Sequence, residues 1–394
     1  MKKPLGVIFA AVALDAVGIG LIFPILPRLI EDVTHTRDVV SYIGLLTALY
    51  AAMQFVFAPV VGALSDRLGR RPVLLASLAG AAIDYLLMAY APSLWLLVVG
   101  RAISGLTGAN MSVATAYITD ISPEDTRAKR FGVFNAMSGI GFILGPVLGG
   151  VLGDHWVRLP FVVAAGLNGA NFLLALFILP ESHVPSGERL RLASLNPLEP
   201  LRWALSMKTL LPVIASFFLL SGAGEVYGTC WALWGNDVFR WNGYWIGLSL
   251  GAFGICQTIG QAFLPGPATR YLGERRTLLG GIAGACLALV AMAFMRRTWM
   301  VFAVLPVIAL AGVGTPALQS LSTRLVTQKL QGQFQGVLAA AMSMASIVGP
   351  LLFSTFYMVV RGRWPGAIWL FAAIVNISAV PVVLRLRFRS TSLA

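Results

Sequence analysis

The segment GALSDRLGRR, residues 62–71, is a short charged stretch between two long apolar ones. Several residues of this segment have identical residues 204 positions later in the chain. Positions outside the segment show the same separation. The related pairs are Gly62 and Gly266, Gly69 and Gly273, Arg71 and Arg275, Gly132 and Gly336, and Pro146 and Pro350. Because one register that links several distant positions rarely arises by chance, the chain is predicted to consist of two tandem copies of one unit.

The composition predicts that both copies lie in a membrane. Hydrophobic residues make up 58% of the 394 residues and charged residues 11%, far from the balance of a soluble domain. A helix needs about 20 apolar residues to cross the hydrocarbon core, and the chain offers twelve such stretches, six in each copy. They are residues 6–28, 42–64, 72–92, 94–119, 131–153, 159–180, 209–234, 245–268, 277–295, 299–322, 333–360 and 365–384. The predicted fold is an all-α membrane protein with twelve transmembrane helices in two six-helix repeats, an arrangement typical of transporters.

The net charge of +13 raises the question of nucleic-acid binding, and the distribution of the charge answers it. Most lysines and arginines fall in loops and termini on one side of the predicted topology, which places that side and both termini in the cytoplasm. No basic face with interleaved aromatic residues lies outside the predicted spans. We therefore expect the lipid bilayer as a partner and no nucleic acid.

The repeat predicts the domain boundaries. A first bundle occupies residues 1–180, a cytoplasmic linker 181–208 and a second bundle 209–394. The linker contains Pro185, Ser186 and Gly187 among charged residues, which is a flexible composition. We expect a passive connection that lets the two bundles move separately.

The polar residues give no sign of an enzyme. The three cysteines show no CxxC spacing, and the three histidines are scattered through predicted loops, so neither a disulfide framework nor a metal site is expected. No nucleophile–base pair or phosphate-binding loop is present, and no cofactor is expected. The basic N-terminus and the apolar run after it have the outline of a signal peptide, but Asp15 interrupts the run and no cleavage site follows.

Four ionisable residues fall within predicted spans: Asp15, Asp84, Arg101 and Glu225. A charged side chain at mid-membrane costs at least about 2.5–3.5 kcal/mol, so each is a candidate for a role in transport. Asp15 lies about 15 Å into the first span at 1.5 Å per residue, too deep for a helix cap. Its alternative role is a hydrogen bond within a local polar cluster.

Asp84 and Arg101 lie on consecutive antiparallel spans, both about 10–13 Å below the outer surface. A carboxylate and a guanidinium at one level are expected to pair, which offsets the desolvation of both. Two alternatives are a pair that only holds the spans together and an Arg101 side chain that extends toward the surface.

Glu225 is the acidic residue within the predicted spans of the second copy. Desolvation favours the neutral form of a carboxyl group that has no cation nearby, so Glu225 is a candidate proton carrier. The alternative is a permanently protonated residue that donates to a helix carbonyl.

The loop between the second and third predicted spans combines charge with a turn. Gly69 permits a tight turn, and Asp66 and Arg70 flank it at helix ends. Asp120 closes the fourth span, and Arg127 precedes the fifth. We interpret the four charged residues as a cytoplasmic latch that forms in one state and breaks in the other; the alternative is an anchor for the basic side of the membrane.

Glycines mark the fifth predicted span. Gly141, Gly145 and Gly149 lie on one helix face, where they permit close backbone contact, and Pro146 bends the helix. We predict a smooth, bent seam that slides during transport, with Gly145 and Pro146 in gating roles. The second copy keeps Gly349-Pro350 but loses most of the other glycines.

Several of these segments resemble motifs of one family. GALSDRLGRR is similar to the signature of the major facilitator superfamily, and GFILGPVLGG, residues 141–150, resembles the fifth-span motif of its drug/proton antiporters. More narrowly, the chain resembles the tetracycline efflux proteins of Gram-negative bacteria over nearly all of its length. The segments that carry this resemblance are residues 14–22, Gln54, 82–85, 100–101, 273–276 and 331–333.

The resemblance implies a transporter of the bacterial inner membrane. It would export tetracycline, chelated to a divalent cation such as Mg²⁺, in exchange for protons. The resemblance assigns coupling and substrate contact to Asp15, Asp84 and Arg101, and pocket positions to Gln54 and Gln261. It assigns the latch to Asp66, Arg70, Asp120 and Arg127.

Two positions depart from the family pattern. Gln257 stands where these exporters carry a histidine, and Ala285 where they carry an acidic residue. Glu225 stands where the resemblance implies a glutamine in relatives. Either the proton path has moved to the seventh span or the substrate is no longer a cationic chelate. An antiporter for another hydrophobic drug or metabolite and a proton-coupled nutrient symporter are the alternative functions.

Overall fold

The computed structural model describes residues 2–36, 38–108, 110–183, 196–199, 202, 207, 210–323 and 330–385. The elements in these residues are helices, and twelve of them are long and apolar enough to cross a membrane. The predicted number of spans is therefore confirmed for the described part of the chain. Most of the predicted linker, residues 184–195 in particular, lies outside it.

The spans are numbered in chain order. Spans 1–6 are Pro4–Thr34, Val40–Leu68, Arg70–Tyr90, Leu94–Asp120, Glu124–His155 and Leu159–Ile178. Spans 7–12 are Leu211–Phe239, Gly243–Phe263, Glu274–Ala293, Thr298–Ser322, Gln331–Val360 and Ala367–Leu384.

Some spans are made of more than one helix. Span 4 contains the helices Leu94–Gly108 and Asn110–Asp120, and span 12 contains Ala367–Ile377 and Ala379–Leu384. Span 10 contains Thr298–Ala311 and, beyond it, a helix at Gly314–Thr323. The helix of span 1 begins at Lys2, and a short helix, Pro265–Leu272, precedes span 9.

Helix ends differ from the predicted span ends because helix and hydrocarbon core do not stop at the same residue. Span 5 was predicted from residue 131, but its helix begins at Glu124. Glu124 and Asp125 occupy its first turn, where negative charge is favoured by the helix dipole. The apolar residues therefore show where the chain crosses the membrane. The helix itself continues beyond that point, because acidic residues in its first turn stabilise it.

The chain packs into two compact units. Unit 1 comprises Met1–Pro197 together with Arg240–Gly251, and unit 2 comprises Leu198–Phe239 together with Ala252–Ala394. Each has its own hydrophobic core, built around residues such as Leu78 and Phe134 in unit 1 and Phe217 and Phe334 in unit 2. The first turns of span 8 belong to unit 1. The predicted boundaries at 180 and 209 stay a prediction.

The internal repeat is visible in the backbone. Gly69 has a φ of 101° and Gly273 a φ of 75°, and both stand at the same turn of their repeat. L-residues with a side chain rarely adopt such angles. A glycine is therefore required at this turn in both copies. In the first copy it is Gly69, which the sequence predicted as a turn residue.

The first and fifth spans of each repeat also pack in the same way. Span 1 lies along span 5 in unit 1, and span 7 lies along span 11 in unit 2. In each unit an arginine that follows the second helix pairs with an aspartate of the first, Arg158 with Asp32 at 2.9 Å and Arg361 with Asp237 at 2.7 Å. Two equivalent helix pairs are what a duplicated bundle predicts.

Candidate functional site

Unit 1 buries two of the four predicted membrane charges. Asp84, in span 3, is 1% exposed, and Arg101, in span 4, is 6% exposed. Span 4 comes close to span 3 here because Gly100 has no side chain; a Cβ at this position would lie 3.0 Å from Asp84 Oδ1. The two residues lie together, as their equal depth predicted.

They do not form the direct ion pair that was expected. Asp84 Oδ1 has no hydrogen-bond partner. Arg101 instead donates from Nε to the Leu46 carbonyl at 3.5 Å, and its guanidinium lies 4.5 Å from the centroid of the Tyr50 ring. The expectation was wrong because depth along two helices fixes a common level but not the direction in which each side chain extends.

Asp15 lies in span 1 beside a small cavity of about 20 Å³. Val12, Leu78 and Met111 are among the residues that line this cavity, which is large enough for about one water molecule. One turn further along span 1, the bare backbone of Gly18 packs against the Tyr85 ring. The glycine next to Asp15 therefore serves a close helix approach, as expected of a glycine in a membrane helix.

These residues form one electrostatic group. The charges of Asp15, Asp84 and Arg101 act on the hydroxyl groups of Tyr50 and Tyr85. We call these five residues the unit 1 cluster. The two tyrosines were not predicted as site residues, because a tyrosine in an apolar span looks like any other aromatic core residue; the adjacency of Tyr85 to Asp84 was the available signal.

The contact between Tyr50 and Arg101 predicts a graded mutational effect. Tyr50→Leu is expected to slow transport by about 2- to 30-fold, the equivalent of a cation–π interaction of about 0.5–2 kcal/mol. Tyr50→Phe keeps the ring under the guanidinium and should stay close to the parent rate. Initial rates of drug uptake into inverted membrane vesicles measure both. Equal rates for the Leu and Phe variants would show that the ring does not position Arg101.

Glu225 has a neutral partner in unit 2. Ser346, on span 11, donates its hydroxyl to Glu225 Oε1 at 2.6 Å. Span 11 approaches here because Gly349 lacks a side chain; a Cβ on it would lie 2.8 Å from the Cβ of Glu225. The predicted carboxyl site of the second copy is therefore held by a serine and a glycine of the Gly349-Pro350 region.

The two predicted pocket glutamines have different surroundings. Gln54 donates from Nε2 to the carbonyl of Gly108 at 3.1 Å inside unit 1. Gln261, in unit 2, is exposed, and its role in a pocket stays a prediction. Gln257 and Ala285, the two positions that depart from the family pattern, line one cavity of about 320 Å³ within unit 2.

The predicted latch forms around Arg70. This side chain pairs with Asp66 at 2.5 Å and with Asp120 at 3.2 Å, and it donates to the Ser65 hydroxyl at 2.6 Å. Arg127 does not join the group. It donates instead to the carbonyl of Ser122 at 3.4 Å.

Glu181 completes the latch and was not predicted as part of it. Its carboxylate accepts from the backbone N–H of Arg70 at 2.8 Å and of Arg71 at 3.1 Å, so it caps the beginning of span 3. A Cβ on Gly69 would lie 2.7 Å from Cδ of Glu181. Gly69 therefore provides both the turn and the space for the capping carboxylate. The missed signal was an acidic residue at the first position of the supposed linker.

The glycine face of span 5 lies against span 1. Cβ atoms on Gly141, Gly145 and Gly149 would lie 2.5, 2.6 and 2.6 Å from backbone carbonyl oxygens of span 1. Such contact leaves no room for side chains. The sequence correctly identified a tightly packed helix face, and the predicted sliding of Gly145 and Pro146 stays a prediction.

A second polar group in unit 1 was not predicted. Asp154, at the end of span 5, forms an ion pair with Arg28 of span 1. The same carboxylate accepts from the backbone N–H groups of Gly243 at 3.0 Å and Tyr244 at 2.8 Å. Asp154 thus caps the beginning of span 8 and ties three spans together at one end of the unit.

The described residues contain no cluster of ligands suited to a metal ion. What they contain is a pair of membrane-embedded carboxyl groups and an arginine in unit 1 and one further carboxyl group in unit 2. Such groups take up and release protons, or contact charged substrates, in membrane transporters.

Comparison with known proteins agrees with this arrangement. The sequence matches the Major Facilitator Superfamily at residues 8–265 and again at 213–393. It is 45% identical over 379 residues to tetracycline resistance protein, class C, of Escherichia coli, with 96% of both chains covered. It is 45% identical over 374 residues to the class G protein of Vibrio anguillarum, with 95% of both covered.

The fold is also similar to that of a solved transporter. The nucleoside transporter NupG superposes with a TM-score of 0.79 at 14% sequence identity, over 97% of this chain and 99% of that one. At this identity the likeness concerns the fold alone.

Proposed function

The chain belongs to the major facilitator superfamily and, within it, to the tetracycline efflux proteins, and we propose that it exports tetracyclines in exchange for protons. It is a multi-pass membrane transporter and not an enzyme. The observation that carries the exchange is the burial of Asp84 at 1% exposure with an oxygen that has no hydrogen-bond partner. A carboxyl group kept at such a cost needs a function that a neutral side chain cannot perform.

The proton path of unit 1 runs through the unit 1 cluster. Asp15 and Asp84 each carry a negative charge that protonation removes, and Arg101 supplies a fixed positive charge beside them. When a proton binds, the balance of charge around Arg101 changes, and with it the free energy of the conformation that the cluster favours. Tyr50 holds the guanidinium in place while this happens.

The latch supplies the two-state element that such coupling requires. Arg70 binds Asp66 and Asp120 in this structure, and Glu181 fixes the backbone at the same turn. Breaking these pairs frees the cytoplasmic ends of spans 2–4 to rearrange. A latch with a formed and a broken state is a known device for a conformational switch.

The second unit contributes Glu225 as a further proton site. Its carboxyl group accepts a hydrogen bond from Ser346, and an acidic side chain inside a membrane span is a candidate proton carrier. We propose that Glu225 replaces the titratable groups that are missing at Gln257 and Ala285. Gln54 and Gln261 contact the substrate in this scheme, and the substrate is the tetracycline–Mg²⁺ chelate.

Topology follows from the charge distribution. We propose that both termini are cytoplasmic in the bacterial inner membrane, because the latch loop with Arg67, Arg70 and Arg71 and the matching loop with Arg275 and Arg276 lie on one side.

Drug susceptibility tests the proposed function. Sensitive bacterial cells that express the chain should survive higher concentrations of several tetracyclines and show unchanged susceptibility to unrelated drugs. Cells that express the Asp15→Asn variant are the matched control. Protection against unrelated hydrophobic drugs without protection against tetracyclines would replace this function by the export of another compound.

A further inference from the structure

A cavity of about 300 Å³ lies at one end of unit 2, at the lower limit of small-molecule sites. The end of span 7, the end of span 9 and the residues just before span 12 contribute to its wall. Glu225 and Gln261 are not among the described residues that line it. The cavity is therefore separate from the groups that the proposed transport scheme uses.

Two exposed aromatic residues form part of the wall. Phe294 is 61% exposed and Trp364 is 40% exposed, both line the cavity, and their ring centroids lie 5.4 Å apart. Large aromatic side chains at the ends of spans are typical of the level at which acyl chains meet lipid headgroups. The cavity is therefore expected at the membrane interface, where a lipid molecule can reach it.

The aromatic part of the wall is held in place by the backbone. Trp364 donates from Nε1 to the carbonyl of Ala293 at 3.2 Å. Gly366 makes this approach possible, because a Cβ on it would overlap the same carbonyl oxygen and lie 2.8 Å from Trp364 Nε1. The indole ring is fixed between spans 9 and 12 without a ligand, which lowers the entropic cost of binding one.

Arginines give this end of unit 2 a positive charge. Arg296 lines the cavity and is exposed. Arg297 follows it in the same loop, and Arg363 stands in the loop before span 12; both are also exposed. On the proposed topology this end faces away from the cytoplasm, the side on which lysine and arginine are normally scarce.

The carboxyl groups nearby do not balance this charge. Residues 294–297 and 361–366 contain no aspartate or glutamate. Asp237, at the end of span 7, accepts two hydrogen bonds from Arg361, at 2.7 and 3.0 Å, and one from Tyr357 at 2.7 Å. An unbalanced group of arginines attracts an anionic partner.

We propose that this cavity binds the headgroup of an anionic phospholipid, with Arg296 as the counter-charge of the phosphodiester. A guanidinium group can donate two parallel hydrogen bonds to phosphate oxygens. The Phe294–Trp364 pair packs against the glycerol backbone and the upper part of an acyl chain. A phospholipid satisfies both the charge and the aromatic surface, whereas a small soluble anion satisfies only the charge. The inference goes beyond tetracycline exchange and does not depend on it.

Brominated lipids can localise the binding, because bromine quenches tryptophan fluorescence only at short range. The chain has 10 tryptophans, so the contribution of Trp364 is the difference between each protein and the same protein with Trp364→Phe. The purified full chain is placed in phosphatidylcholine nanodiscs with rising fractions of brominated phosphatidylglycerol or, as the matched control, brominated phosphatidylcholine. We expect phosphatidylglycerol to half-quench Trp364 at a mole fraction lower by about 5-fold, the effect of one arginine at an anionic lipid surface.

Three variants separate a site from a diffuse surface charge. Arg296→Gln should abolish the preference for phosphatidylglycerol, and Arg296→Lys should keep most of it. Arg297→Gln is the matched control, because it removes the adjacent charge, which does not line the cavity, and it should keep more than half of the preference. All three positions are exposed loop positions, and thermal unfolding checks that each variant folds.

Three results would overturn the proposal. The first is equal quenching of Trp364 by the two brominated lipids in the parent chain. The second is an equal loss of preference in Arg296→Gln and Arg297→Gln, which would show attraction to the surface as a whole. The third is relief of the phosphatidylglycerol quenching by millimolar glycerol 3-phosphate, which would show a site for soluble anions. Tetracycline is absent from these measurements, so their outcome is independent of the test of drug export.

Discussion

Asp15→Asn is expected to reduce tetracycline-driven proton exchange to the background of vesicles without the protein. Asparagine has nearly the size of aspartate and can fill the same place beside the small cavity of unit 1, but it cannot bind and release a proton. The carboxyl group is needed for its charge and not for packing, so the amount of folded protein in the membrane should not change. Its loss removes one of the charges of the unit 1 cluster, which acts on Tyr50.

The measurement uses inverted vesicles with an acidic interior. Addition of tetracycline should release protons through the parent protein, and the recovery of a quenched pH-sensitive dye reports this release. Asp15→Glu is the control, because it keeps the ionisable group and should retain part of the exchange. Normal exchange by Asp15→Asn would reduce Asp15 to a structural hydrogen-bonding residue.

Glu225→Gln is expected to separate transport from the proton gradient. The glutamine side chain can still accept the hydrogen bond that Ser346 donates to Glu225 at 2.6 Å, so the contact between spans 7 and 11 should persist. A proton can no longer be carried in this unit. Tetracycline-driven proton release should fall to background, while tetracycline binding and downhill exchange of labelled drug continue.

Ser346→Ala provides the matched control for Glu225. This variant removes the hydroxyl group but leaves the carboxyl group, and proton release should remain measurable at a reduced rate. Full uphill transport by Glu225→Gln would contradict a proton role for this residue. Coupling would then rest on Asp15 and Asp84, and Glu225 would be a protonated structural residue.

The sequence predicted the membrane fold because two strong signals agree. Apolar stretches gave the number of spans, and the constant separation of Gly69 from Gly273 and of Pro146 from Pro350 gave the repeat. Both glycines have positive φ angles, so the repeated residues are fixed by backbone geometry. Helix ends were less predictable, as at Glu124, because polar helical turns continue beyond the hydrocarbon core.

Side-chain partners were only partly predictable. The cost of charge in the membrane pointed to Asp84 and Arg101, and both are buried. Their partners depend on which way each helix face is turned, and this is set by the packing of neighbouring spans. Tyr50 therefore took the place beside Arg101 that Asp84 was expected to hold.

The latch shows the same limit. Charges close together in sequence, such as Asp66 and Arg70, were grouped correctly, and Asp120 was added from the end of span 4. Arg127 was placed there by its position before span 5, but it turns to the carbonyl of Ser122. Glu181 was not predicted as a capping residue, because it is the first residue of a segment whose composition is typical of a flexible linker.

The most direct test of proton-driven tetracycline export uses the purified chain in proteoliposomes. An acidic interior is imposed, and tetracycline with Mg²⁺ is added outside to the proteins that present their cytoplasmic side. We expect labelled tetracycline to accumulate inside above its outside concentration, protons to leave as it enters, and an uncoupler or the Asp15→Asn variant to stop both. Accumulation that persists without a pH gradient, or a pH gradient that drives no tetracycline uptake by the folded parent chain, would rule out proton-driven export.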